Sequence, residues 1–286
     1  MVLFGPAGNS DSFYAEGHKS TVETFAWITA MGLDAYEYSF GRGVRLGEAM
    51  AKKIGAEAAA HHVTLSVHAP YYVNLATEDA QKAENNLRYF VQSATAAKWM
   101  GARRIVFHAG TQGTLPREEA LARTRAALKD VIAALDEAGV GDIELCPETM
   151  GRAKQIGDVD EVVELCRPDE RLVPAVDFGH LHARGRGALN EEADFAAVLD
   201  KLENGLGGYR ARRFHVHFSR IEYTAAGEKM HRTYDEADYG PDFEPLARLI
   251  VKRNLEPIVI CESRGTMAED AVILKRIYTE ALALES

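Results

Sequence analysis

Six apolar runs of strand length in this chain end on a residue type that binds metals. They are Leu65–Ser66–Val67–His68, Ile105–Val106–Phe107–His108, Ile143–Glu144–Leu145–Cys146–Pro147–Glu148, Val173–Pro174–Ala175–Val176–Asp177, Phe214–His215 and Ile258–Val259–Ile260–Cys261–Glu262. One such residue is easily an accident of packing. Six at matching positions constrain the fold, because a (β/α)8 barrel draws its active-site groups from the C-terminal ends of several different strands.

The rest of the chain agrees with that architecture. Strands are expected near Val2–Ala7, Ala35–Phe40, Thr64–His68, Arg104–His108, Asp142–Glu148, Leu172–Asp177, Arg213–Phe218 and Pro257–Glu262, with helical periodicity between them, as in Thr21–Met31, Ala80–Trp99, Arg117–Ala138 and Asp158–Cys166. Ser20 and Thr21 ahead of Glu23, and Asp158 ahead of Glu161, have the spacing of helix N-terminal capping boxes. Gly32, Gly101 and Gly139 follow apolar helical stretches, where a left-handed cap ends a helix. Eight strands and eight helical intervals make a single α/β TIM-barrel domain over residues 1–286 the expected fold. A chain of this length is ordinary for one barrel.

Side chains alternate faces along a strand. Thr64, Ser66 and His68 therefore share one face, as do Glu144, Cys146 and Glu148, and also Arg213, His215 and His217. The apolar face of a barrel strand packs outward on the helices, so these polar sets are expected in the lumen. Carboxylates there are costly unless paired or bound to metal.

Hydrophobic residues at 47% and charged residues at 27% suit a globular domain with a full core. No apolar run approaches the ~20 residues of a membrane helix, and the N-terminus lacks a signal peptide's pattern. Cys146, Cys166 and Cys261 form neither a CxxC site nor a disulfide framework, so a reducing cytoplasm is the expected location. The formal net charge of −10 disfavours nucleic acid as a partner. A multi-metal site weakens that objection, since bound divalent ions reverse the field locally.

Imidazole and carboxylate are zinc's usual non-sulfur ligands, and bridging carboxylates let one lumen hold more than one ion. Any one of these histidines alone would be better read as a core or surface residue; as a set at equivalent strand ends they point to metal. Asp177–Phe178–Gly179–His180 puts a second candidate, His180, on the loop just past its strand. His182 reads as loop surface or as support for a ligand, and His217 as support or a substrate contact. His18, His61 and His62 read as structural or exposed.

Together His68, His108, Glu148 in Glu148–Thr149–Met150–Gly151, Asp177–Phe178–Gly179–His180, His215–Val216–His217–Phe218–Ser219, His231 and Glu262 resemble the endonuclease IV family of apurinic/apyrimidinic endonucleases, from Gly5 to Glu262. The resemblance implies two to three zinc ions. His68 and His108 would hold one, with Glu148 bridging to a second held also by Asp177, His215 and Glu262, while His180 and His231 would hold the third. It also implies damaged double-stranded DNA as partner, cleaved 5′ to an abasic site with the sugar flipped into the pocket, and Glu148 and Glu262 as catalytic-site carboxylates that ligate and orient. A monomer is expected. For DNA grip, Arg42 and Arg45 follow the second strand, and Tyr71, Tyr72 and Asn74 extend from the His68 loop, where a tyrosine can wedge into an opened duplex. Arg184–Gly185–Arg186–Gly187 reads as a mobile basic loop.

The His215–Val216–His217–Phe218 stretch differs from the family's more typical His-x-Asn-Asp, and one further departure matters more. The family's third-site aspartate falls two residues before the final histidine, where this chain has Lys229, with Glu228 out of register by one. The third site is therefore expected to lack a ligand. The alternative reading is a sugar isomerase or epimerase of the xylose-isomerase-like barrels, whose metal centre needs only Glu148, Asp177, His215 and Glu262. That reading leaves His68, His108, His180 and His231 without a purpose.

Overall fold

The computed structural model describes residues 1–285. Its strands, in chain order, are β1 (Leu3–Pro6), β2 (Ala35–Ser39), β3 (Thr64–His68), β4 (Arg104–Phe107), β5 (Glu144–Pro147), β6 (Ala175–Asp177), β7 (His215–Phe218), β8 (Arg220–Thr224), β9 (Gly227–Arg232) and β10 (Ile258–Cys261). Two parallel sheets, β1-β10-β7-β6 and β2-β3-β4-β5, are joined at one seam by a bridge between Ala7 and Glu37 and at the other by bridges between Leu145 and Leu172 and between Glu148 and Ala175. Closed in this way, the eight strands form a (β/α)8 barrel. The antiparallel β8–β9 hairpin lies outside the barrel, directly after β7.

Helices alternate with the barrel strands: Thr21–Ala30, Glu48–Ala60, Ala80–Met100, Arg117–Glu137, Val159–Cys166, Glu192–Leu206, Glu244–Lys252 and Met267–Leu284. Local chemistry sets their ends. Asp158 accepts from the Glu161 amide while the Glu161 carboxylate accepts from the Asp158 amide, the reciprocal box that the spacing predicts. Gly101 closes the long helix before β4 at φ 72°, a left-handed position that glycine adopts without strain.

The strand faces divide as alternation requires. Leu65, Val67, Ile105 and Phe107 are buried in the large core between strands and helices. Arg104 plugs the lower lumen, paired with Glu144 at 2.7 Å and donating to the Arg213 carbonyl at 2.6 Å. Above it lies a small apolar layer of Val106, Cys146, Val173 and Ala175. Most of the ligand-type residues lie above that, with His215 level with Ala175. Phe178–Arg184, expected as a loop, is a short helix capped by the Asp177 side chain, which accepts from the His180 amide at 2.7 Å.

Candidate metal centre

Four ligand-type sets converge at the C-terminal mouth: His68, His108 and Glu148; Glu148, Asp177, His217 and Glu262; His180, Glu228 and His231; and, one layer deeper, Glu37, His215 and His217. Within each set the candidate ligand atoms lie within 4.8 Å of one another. Members of each of the first three, among them His68, Glu148, Glu262 and His231, line a cavity of about 400 Å³ that is also lined by Tyr71 and Arg152.

Glu148 joins two of the sets. One carboxylate oxygen lies 3.2 Å from both His68 Nε2 and His108 Nε2. The other lies 3.4 Å from His217 Nδ1 and 3.2 Å from His180 Nδ1. Backbone and hydroxyl partners turn the imidazoles. His68 Nδ1 is 2.7 Å from the Ala69 carbonyl and His180 Nδ1 3.0 Å from the Thr149 carbonyl. A carbonyl only accepts, so both Nδ1 atoms carry the proton and each Nε2 is left as an electron-pair donor. His231 Nδ1 meets Ser219 Oγ at 2.8 Å.

The charge balance fits a cation. Burial alone would lower the His68 imidazole, yet the Glu148 carboxylate carries it to about 9. His180 and His217 also rise well above the usual imidazole value despite burial, drawn by Asp177 and Glu148 in one case and by Glu262, Glu37 and Glu148 in the other. Burial pushes Glu262 up to about 8, against the pull of His217. Buried Asp177 Oδ2 and His217 Nδ1 have no hydrogen-bond partner among the described residues. Orphaned lone pairs and a field that draws protons onto buried rings are what a site for divalent cations presents, and the nitrogen–oxygen donor set suits zinc.

Several sequence expectations need correction. His215 falls outside the set that contains Glu148, Asp177 and Glu262, and His217 stands there instead. Register is the reason: His217 pairs with Asp177, whereas His215 pairs with Ala175, one lumenal layer down. The third set does contain a carboxylate. Glu228 reaches it through a bulge in the hairpin, where Glu222 pairs with Met230 and Tyr223 with Glu228, so that Lys229 is the extra residue. An extra residue restores the common face that a spacing of three would otherwise lose. Lys229 turns away and ion-pairs with Glu222. Gly151 makes room, since a Cβ there would stand 2.6 Å from Glu228 Cβ, and Gly227, at φ 100°, packs on the Gly151 carbonyl.

Among the expected DNA contacts, Tyr71 lines the cavity and is 60% exposed. Tyr72 is turned edge-on to Tyr89. Asn74 is structural, its Oδ1 accepting from the Thr111 and Ala76 amides and its carbonyl from Asn86. Arg42 and Arg45 are exposed and do not line the cavity. Arg184 is fastened to the carbonyls of Met150, Arg152 and Gln155, so it braces the β5 loop and is not a mobile basic arm. His182 is buried against Leu189. Arg152, at the cavity rim, and Glu37, in its floor, were not anticipated. Strand alternation in Ala35–Tyr36–Glu37–Tyr38–Ser39 carried the signal for Glu37, a lone charge on the lumenal face.

Fold and site together define a TIM barrel with clustered His, Glu and Asp groups able to hold metal at its C-terminal mouth. Residues 25–279 match the xylose isomerase-like TIM barrel family, and the chain belongs to it. It is 31% identical to an uncharacterized protein of Methanocaldococcus jannaschii over 280 residues, 98% of each chain. It is 27% identical over 199 residues to a probable endonuclease 4 of Mycoplasma pneumoniae, a match spanning 68% of this chain and 65% of that one. The structure of endonuclease IV from Thermus thermophilus superposes with a TM-score of 0.71 at 22% identity, covering 94% of this chain and 96% of that one. A D-tagatose 3-epimerase-like protein superposes at 0.69 and 20% identity, covering 92% and 95%. The fold therefore accommodates both chemistries, and the choice between them rests on the site.

Proposed function

We propose that this chain is a zinc-dependent phosphodiesterase of the endonuclease IV type, cleaving DNA 5′ to abasic sites. The observation that carries the reading is the third ligand set, His180, Glu228 and His231, standing beside the two that Glu148 joins. An epimerase centre uses one ion and gives no reason for it. Probable endonuclease 4 relatives lend support.

Bound in these sets, zinc would bring the pKa of a held water from about 15.7 to near 7 and neutralise charge on a transferring phosphoryl group. The chain's own residues do the positioning. His68 and His108 face one oxygen of Glu148, and His217 and His180 face the other, so this carboxylate sets the spacing of the sets. Glu262 bounds the far side of the cavity, 3.4 Å from His217 Nδ1 and 4.0 Å from His231 Nε2. Tyr71 supplies an exposed ring at the mouth for an unstacked base or sugar. Arg152, whose Nε donates to the Glu228 carbonyl at 3.2 Å, puts a cation at the rim to meet phosphate.

A duplex with one abasic site, incubated with the chain before and after removal of metal by a chelator, tests the proposal. Cleavage 5′ to the lesion that chelation abolishes and zinc restores is the expected result. An intact duplex, together with turnover of a ketose into its epimer, would establish the alternative.

A further inference from the structure

Glu37 belongs to none of the three upper ligand sets, yet it is a carboxylate only 1% exposed, in the floor of the same cavity. A buried carboxylate is costly without partners, and it has three. Ser66 Oγ donates to its Oε2 at 2.8 Å, His215 Nε2 lies 3.0 Å from that same oxygen, and His217 Nε2 lies 2.9 Å from Oε1. Neither contact has the alignment of a full hydrogen bond, so both are electrostatic contacts at the distances observed.

His217 is thus held between two acidic environments. Its Nε2 faces Glu37 below, and its Nδ1 faces Glu148 and Glu262 above, 3.4 Å from each. Only one nitrogen of a neutral imidazole carries the proton. A carboxylate against Nε2 stabilises the proton there and leaves the Nδ1 lone pair toward the cavity. It also raises the basicity of the ring as a ligand.

We infer that Glu37 is a positioning residue: through Nε2 it holds His217 in the Nε2–H tautomer with Nδ1 turned to the ion shared with Glu148, Asp177 and Glu262. This rests on the metal-centre reading above. His215, one layer below, completes the seat by contacting the second oxygen of Glu37.

The test uses zinc itself as the probe, in competition with a chromophoric chelator, on the full chain and its Glu37→Gln variant. Long-range proton–nitrogen NMR of ¹⁵N-histidine-labelled protein, with His217→Asn to assign the signal, gives the tautomer. Expected are a proton on Nε2 of His217 in the zinc-loaded wild type, and in Glu37→Gln a zinc affinity weaker by about 10- to 100-fold at one ion with the saturating count unchanged. The tautomer measurement does not use Glu37→Gln and so decides the matter even where that variant does not fold. Metallation at Nε2, an unaltered zinc constant in a folded Glu37→Gln, or loss of one ion from the saturating count each overturns the inference; the last would make Glu37 a ligand in its own right. A wild-type chain that holds no zinc removes the metal-centre reading itself and this one with it. Normal zinc binding with Glu37→Gln unaffected removes only the role of Glu37.

Discussion

Replacing Glu228 with Gln should remove the ion at the third site, while replacing Lys229 with Asp should do nothing to it. The hairpin bulge is the cause, because it puts Glu228 on the face of His231 and Lys229 on Glu222. Glu228 Oε2 stands 3.5 Å from His180 Nε2, close enough for both atoms to share one ion. Zinc sites of four protein ligands bind with about 10–16 kcal/mol, so one ligand accounts for roughly 2.5–4 kcal/mol. That corresponds to about a hundred- to a thousandfold in affinity at ~1.4 kcal/mol per decade. Lys229 is 52% exposed in its pair with Glu222, and such exposed pairs contribute at most about 1 kcal/mol to stability and nothing to the site. Zinc titrations against a chelator, resolving the weakest of the ions, would read both variants. A third arm deletes Lys229 altogether. Glu and His would then lie two residues apart on a regular ladder, still on one face, and the ion should remain. A third constant untouched by Glu228→Gln, or tightened by Lys229→Asp, would refute the reasoning.

Glu148→Gln should lose at least one ion per chain and most turnover, because both of its oxygens face imidazoles; full metal content by elemental analysis would count against the bridging role. Arg42→Ala and Arg45→Ala should each weaken DNA binding and flatten the salt slope by about 0.9 for every phosphate the side chain neutralises, although neither lines the cavity, whereas Tyr71→Ala should impair capture of the opened site; wild-type salt slopes in both arginine variants would leave that loop idle. Glu161→Ala should destabilise the fold by roughly 2 kcal/mol, since it removes a capping box and the carboxylate partner of Arg117, which keeps its bonds to Gln112, Ala153 and Gln155, and calorimetry would register a clear fall in Tm. Burial opposes ionisation of Glu161, but Arg117 and the Gly157 and Asp158 amides outweigh it and hold the carboxyl below its usual value. Its contribution is therefore fully present above the unfolded value of about 4.3 and is lost as pH falls through the lower folded value. The wild-type advantage over Glu161→Ala should shrink on acidification through that range, and a gap that widened instead would reverse the sign of this account.

Barrel architecture, and the convergence of most of the candidate ligand residues, were legible because both rest on local pattern. Period-two alternation told lumen from core for His68, Glu148 and His217, and glycine and capping chemistry placed the helix ends. What alternation cannot tell is height. His215 and His217 share a face, and only the pairing of β7 with β6 and β10 decides which of the two reaches the upper layer. Spacing likewise pointed away from Glu228, because a bulge is a property of two paired strands and leaves little trace in one. Asn74 and Arg184 have the composition of ligand-binding loops, yet tertiary contacts commit their polar atoms to neighbouring backbone. The sequence by itself determined which residue types face the lumen; strand register and the hairpin's packing on Gly151 decided which of them meet.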